Sequence, residues 1–135
     1  GEGTTYLQDG SICLIKDLKI GDIVRTAGGY IPIKDITVDN LKTRNMCKIN
    51  GVVLTEDHPV FIQGNWVLPM EYAPDNVYKD RTVVYNFVMD ANPMHKDCHT
   101  IIVDGLICAT LGRGPENLKE RFPEVDALWG TGFWN

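Results

Sequence analysis

Two polar side chains, Thr55 and His58, stand between the apolar runs 52–54 and 60–62. An imidazole ionises near neutral pH, so it can take up a proton and hand it on within one reaction. A hydroxyl three residues earlier can orient that ring, or the bond on which the ring works. Both groups fall where one apolar run stops and the next starts. From there they can act on a bond that another part of the chain delivers. The same T-x-x-H spacing also describes an ordinary turn, in which Thr55 closes the bend and His58 fills half-buried space. The surroundings have to decide between the two.

Those surroundings read as short strands. Asn50-Gly51 before the pair is the strongest hairpin signal in the chain, and Gly64-Asn65 after it is a second turn pair. Upstream, strands are expected at 4–7, within 12–18, and at 20–24, 30–38 and 43–49. Breaks fall at Asp9-Gly10 and Ala27-Gly28-Gly29, and Pro32 marks an edge or bulged strand. Downstream, strands are expected at 66–68, at 82–88 within 77–90, and at 99–103 and 106–111, the last two joined by Asp104-Gly105. Turns recur roughly every eight to twelve residues, and helical periodicity is almost absent before residue 115, which describes an all-β domain. One short helix is predicted at 115–121. Pro115 and Glu116 suit its start, Lys119 and Arg121 its end, and Pro123 stops it.

At 135 residues the chain is long enough for one domain with a real core, here 1–111, with an extension at 112–135. The net charge of −5, without a Lys/Arg run, argues against nucleic acid as a partner. No apolar run nears the roughly 18 residues that span a bilayer, and no secretory signal opens the chain, so no membrane partner is expected. Four cysteines, at 13, 47, 98 and 108, show no CxxC spacing. A core of this size does not need disulfides, so free thiols, a cytoplasmic setting and a monomer are expected.

Three blocks resemble one family. Gly3-Thr4-Thr5-Tyr6-Leu7-Gln8-Asp9-Gly10-Ser11, followed by Ile15-Lys16-Asp17-Leu18-Lys19-Ile20-Gly21-Asp22-Ile23-Val24, resembles the opening of a Hint (hedgehog/intein) domain. Leu54-Thr55-Glu56-Asp57-His58-Pro59-Val60, with Trp66 following, is similar to the family's T-x-x-H block. Val84-Tyr85-Asn86-Phe87, His99 and the Asp104-Gly105 turn resemble its final block. The three stand in the family's order and span residues 3–111. Thr110-Leu111-Gly112-Arg113-Gly114, then the predicted helix and Trp129-Gly130-Thr131, is similar to the Vint type found with von Willebrand A domains. The resemblance implies an intein-like horseshoe of curved antiparallel strands with one short C-terminal helix.

It also implies chemistry on the chain's own backbone. In this family a Cys, less often Ser, begins the domain and attacks the carbonyl of the peptide bond before it, turning an amide into a thioester. His58 is then the group that protonates the departing nitrogen, Thr55 orients it, and His99, brought beside them by barrel closure, polarises the thioester or activates the next nucleophile. Asp57 is an accessory candidate as a partner for His58, and Cys108 as a transfer nucleophile, although a free Cys in a core strand is more often inert packing. Two departures stand out. Counting back from Asp9-Gly10 places the nucleophile just before Gly1. Where splicing inteins end in Asn, this chain reads Ile107-Cys108-Ala109-Thr110, and Ala109 has no amide to cyclise. Cleavage or acyl transfer at the N-terminal junction is therefore expected, without full splicing. The substrate is the chain's own flanking polypeptide, and the acyl acceptor is left open between water, a thiol and an amine.

Two other classes stay in view. A non-catalytic β-domain could keep the fold as an interaction module. A small zinc-binding β-module could use His95, Cys98, His99 and Cys108, but their spacing is irregular for a closed tetrahedral site, so neither metal nor cofactor is expected.

Overall fold

The structure, a computed structural model, describes residues 3–92 and 94–111. The described residues form ten strands: β1 (Thr4–Tyr6), β2 (Ile12–Leu14), β3 (Ile23–Thr26), β4 (Gly29–Ile49), β5 (Val52–Thr55), β6 (Val60–Ile62), β7 (Asn65–Val67), β8 (Val77–Met89), β9 (Thr100–Val103) and β10 (Leu106–Ala109). Besides three short 3-10 turns, the described residues hold one α-helical turn, α1 (Pro69–Tyr72), with Pro69 at its start, where the missing N–H has no partner to lose. The predicted helix at 115–121 and the tail beyond it lie outside the described residues.

The strands make three open sheets, all with antiparallel ladders: β1–β2; β7–β6–β10–β9; and β3–β4–β5, with β8 added along β4. The sheets do not close into a barrel, so barrel closure is not what gathers the candidate residues.

β4 is the spine. For it the sequence predicts two strands, 30–38 and 43–49, with a break between them. In the structure it runs unbroken for 21 residues, pairing β3 at one end, β5 at the other and β8 along most of its length. The break is instead a slip in register. From Asp39↔Val84 to Lys42↔Thr82, and again from Ile33↔Met89 to Asp35↔Val88, β4 advances one residue more than β8. An extra residue on one strand bends it and sharpens its twist, and here both extras fall on β4. The long ladder it makes with β8 joins strands that are not neighbours in sequence.

Three tight turns share one geometry. Asn50-Gly51 (φ 49° and 83°), Gln63-Gly64 (51° and 81°) and Asp104-Gly105 (48° and 83°) each place two successive residues in the left-handed region. That is the turn whose twist matches flanking strands. The middle turn sits one residue earlier than Gly64-Asn65, because the glycine takes the second position and Gln63 the first. β7 accordingly begins at Asn65.

The core lies where the sheets face one another: Val24 and Ile33 from β3 and β4, Val60 from β6, Met89 from β8, Ile101 from β9 and Cys108 from β10. A smaller cluster of Leu68, Val88 and Leu111, flanked by Trp66, sits beside it.

Candidate functional site

Thr55 is the last residue of β5, opposite Met46 of β4. After it the chain turns sharply: the His58 amide donates to the Thr55 carbonyl at 3.1 Å, the Glu56 amide to Asn45 of β4 at 3.0 Å, and Glu56 in turn accepts from the Met70 amide of α1. A turn pinned from two sides holds His58 in a single pose. Its ring is buried, and Nε2 lies 2.9 Å from the carbonyl of Ala109 on β10. A carbonyl only accepts, so this ring nitrogen carries the proton. The amide of Ala109 donates to the Pro59 carbonyl at 3.0 Å, so the T-x-x-H-P segment grips Ala109 by both of its peptide groups.

Burial pushes the His58 imidazole down to about 4, against smaller upward pulls from the Ala109 carbonyl and the Asp57 carboxylate. The ring is thus neutral at pH 7. The sequence reading used the near-neutral value of a solvated imidazole; desolvation, which no local pattern reveals, moves it. Asp57 acts on the ring through its charge.

A cavity of about 80 Å³, room for two or three waters or a peptide group, opens beside the ring. Gly3, Thr55, His58, Asn86, Cys108 and Ala109 are among the residues that line it. Gly3, the T-x-x-H pair and β10 therefore meet at one place. Cys108 shares that wall, but its thiol is buried, points at the Leu106 carbonyl and is pushed up to about 12 by desolvation. It is a packed thiol and not a poised nucleophile.

His99 is placed differently. It precedes β9, is 1% exposed, and is not among the residues lining the cavity. Its Nε2 lies 3.1 Å from the carbonyl of Asn92, and its own carbonyl accepts the Thr110 amide at 3.1 Å. The ring ties down the loop that leads into β9. Cys98 points at the Gly28 carbonyl, so three of the four groups weighed as zinc ligands, Cys98, His99 and Cys108, look toward separate main-chain groups. Among the described residues no group of three His, Cys, Asp or Glu side chains gathers to hold a metal.

Asn86 is a cavity residue that the sequence reading did not single out. It sits on β8 opposite Thr37, and its Oδ1 is buried and accepts no hydrogen bond among the described residues. Such an atom costs about 1–3 kcal/mol, which marks it as a group with another use. The signal was there: one amide inside the apolar run 83–88, where asparagine is disfavoured.

A model of the Vint family, described as a Hint domain, matches residues 1–129. Among solved structures, the gp41-1 intein superposes with a TM-score of 0.57 at 12% identity, covering 81% of this chain and 94% of that one. A bacterial intein-like domain from Clostridium thermocellum superposes with a TM-score of 0.56 at 19% identity, covering 80% and 94%. At these identities the likeness shows a shared fold. No curated protein sequence matches the chain.

Proposed function

We infer, from the premise that this chain belongs to the Vint family of Hint domains, that it processes its own N-terminal junction by an N-to-S acyl shift. The nucleophile, a Cys thiol expected just before Gly1, attacks the carbonyl carbon of the peptide bond preceding it. The C–S bond forms as the C–N bond breaks, the thiol proton ends on the departing amine, and an amide has become a thioester. Water, a thiol or an amine then takes the acyl group and restores the Cys thiol.

Each step has a residue to serve it. His58 begins neutral and takes the thiol proton. The imidazolium so formed is buried and is a stronger acid than a solvated one, so it gives the proton up readily to the leaving nitrogen. Thr55 orients the bond through its hydroxyl, and the orphaned Oδ1 of Asn86 accepts the amide hydrogen of the scissile peptide. Ala109 stands where splicing needs an amide side chain, so the reaction ends in cleavage or transfer. The family match through residue 129 supports counting the extension as part of the same domain.

The observation that carries this reading is that Gly3, Thr55 and His58 line one cavity. The test is a chain extended upstream to include the Cys, mixed with a small thiol or hydroxylamine and followed by mass spectrometry. Cleavage at the junction should depend on the added nucleophile, and His58→Ala should slow it about 100-fold or more. Absence of nucleophile-dependent cleavage would leave a non-catalytic interaction module as the better account.

A further inference from the structure

The turn between β9 and β10 does more than reverse the chain. Asp104 meets Thr4 three times: its amide donates to the Thr4 carbonyl at 2.9 Å, and its carboxylate accepts both the Thr4 amide, at 3.3 Å, and the Thr4 hydroxyl. Neighbouring contacts extend the grip. The Gly3 carbonyl accepts the Ile15 amide at 2.9 Å, and the Thr5 hydroxyl donates to the Ile102 carbonyl at 2.7 Å. Gly3 lies so close to β9 that a Cβ there would fall 2.5 Å from Cγ1 of Val103.

Turn geometry does not explain the carboxylate. Asn50, Gln63 and Asp104 occupy the same position of the same turn with φ of 49°, 51° and 48°, so the backbone accepts three different side chains there. What distinguishes Asp104 is its partner, the first strand of the chain.

We propose that Asp104 is a positioning residue for self-processing: its carboxylate clamps Thr4 and so sets where the N-terminal junction lies relative to His58. The argument is one of shared support. The hairpin that grips Thr4 at its turn also carries Ala109, whose carbonyl holds the His58 ring. One rigid hairpin thereby sets the distance between the bond to be broken and the group that moves the proton, and small displacements of a reacting pair cost large factors in rate. The proposal rests on the self-processing reading above.

The test uses the full chain with its upstream residues and nucleophile, and reads the limiting cleavage rate at saturating thiol, where the acyl shift sets the pace. Asp104→Gly keeps the turn, since glycine adopts positive φ freely, but removes the acceptor; the limiting rate should fall about tenfold. Asp104→Asn keeps an acceptor oxygen and should restore most of it. Thr4→Val should slow the parent but add little to Asp104→Gly. Hydrogen exchange of the Thr4 amide in the unextended chain should quicken in Asp104→Gly at unchanged melting temperature. If the parent cleaves and Asp104→Gly matches its limiting rate, or if Asp104→Asn is as slow as Asp104→Gly, the clamp is wrong and the self-processing reading stands. If the parent itself fails to cleave, that reading falls, and the clamp's role in it falls too.

Discussion

His58 and Ala109, 51 residues apart in sequence, are joined through the imidazole, whose Nε2 donates to the Ala109 carbonyl at 2.9 Å. The bond fixes the tautomer and holds the ring against β10. It also fixes the ring deep enough that the charged form is disfavoured.

That burial makes stability depend on pH. The folded-state value is depressed to about 4 from the 6.5 of a solvated imidazole, so between these limits the unfolded chain binds a proton that the folded chain refuses. Stability from this group is therefore complete above pH 6.5 and is lost as the pH falls toward 4, by about 3 kcal/mol in all. Urea unfolding from pH 7.5 to 4.5 should show the loss, and His58→Gln should flatten it. Parallel profiles for the two proteins would mean that the ring is solvated. The kinetic counterpart is a limiting rate of junction cleavage with no inflection near pH 6.5.

Cys108 should resist alkylation in the native chain, since its thiol is buried and held near 12, while the half-buried Cys13 reacts more readily. Cys108→Ala should cost about 1–2 kcal/mol through the cavity it leaves, yet spare the first chemical step. Peptide mapping after iodoacetamide checks the first expectation. A Cys108→Ala chain that no longer forms thioester would give the thiol a chemical role.

Asn86→Val should separate stability from activity. Removing a buried acceptor that has no donor among the described residues recovers about 1–3 kcal/mol, and valine suits a strand. The melting temperature should rise by several degrees while junction cleavage slows about tenfold or more. A variant that is both more stable and equally fast would show that the amide takes no part in the reaction.

His99→Ala should act on the loop into β9. Losing the bond to Asn92 should cost about 1–3 kcal/mol and quicken amide exchange over 90–98. Cleavage per folded molecule should fall far less than in His58→Ala. An equal fall in both would return His99 to the group of residues that touch the reacting bond.

Much of the architecture was legible because it is encoded locally. Asn50-Gly51 and Asp104-Gly105 specify their turns by themselves, and the apolar runs between such signals became strands. The errors have tertiary causes. The break expected between 38 and 43 is absent because β8 supplies partners on both sides of the bulge. Gln63 enters a left-handed conformation because the flanking strands demand a register. The four-residue α1 is too short for any periodicity to show. Thr55 and His58 could be picked out by type and spacing. Their meeting with Gly3, the ionisation of the ring and the isolation of Asn86 depend on burial and on contacts across the whole chain. Asp104 was visible only as a turn former, since nothing in its neighbourhood points to Thr4, a hundred residues earlier.

The bond between His58 and Ala109 also orders events in time. A ribosome adding about 5–20 residues each second releases the imidazole some 3–10 s before the carbonyl that fixes it. The hairpin that presses β1 into place is made in the same late interval. Until Ala109 is made, therefore, the His58 ring lacks the carbonyl that fixes its Nε2. On the self-processing reading the domain is a timer as well as a blade: its junction would stay intact until β10 arrives, giving whatever lies ahead of it a head start in folding.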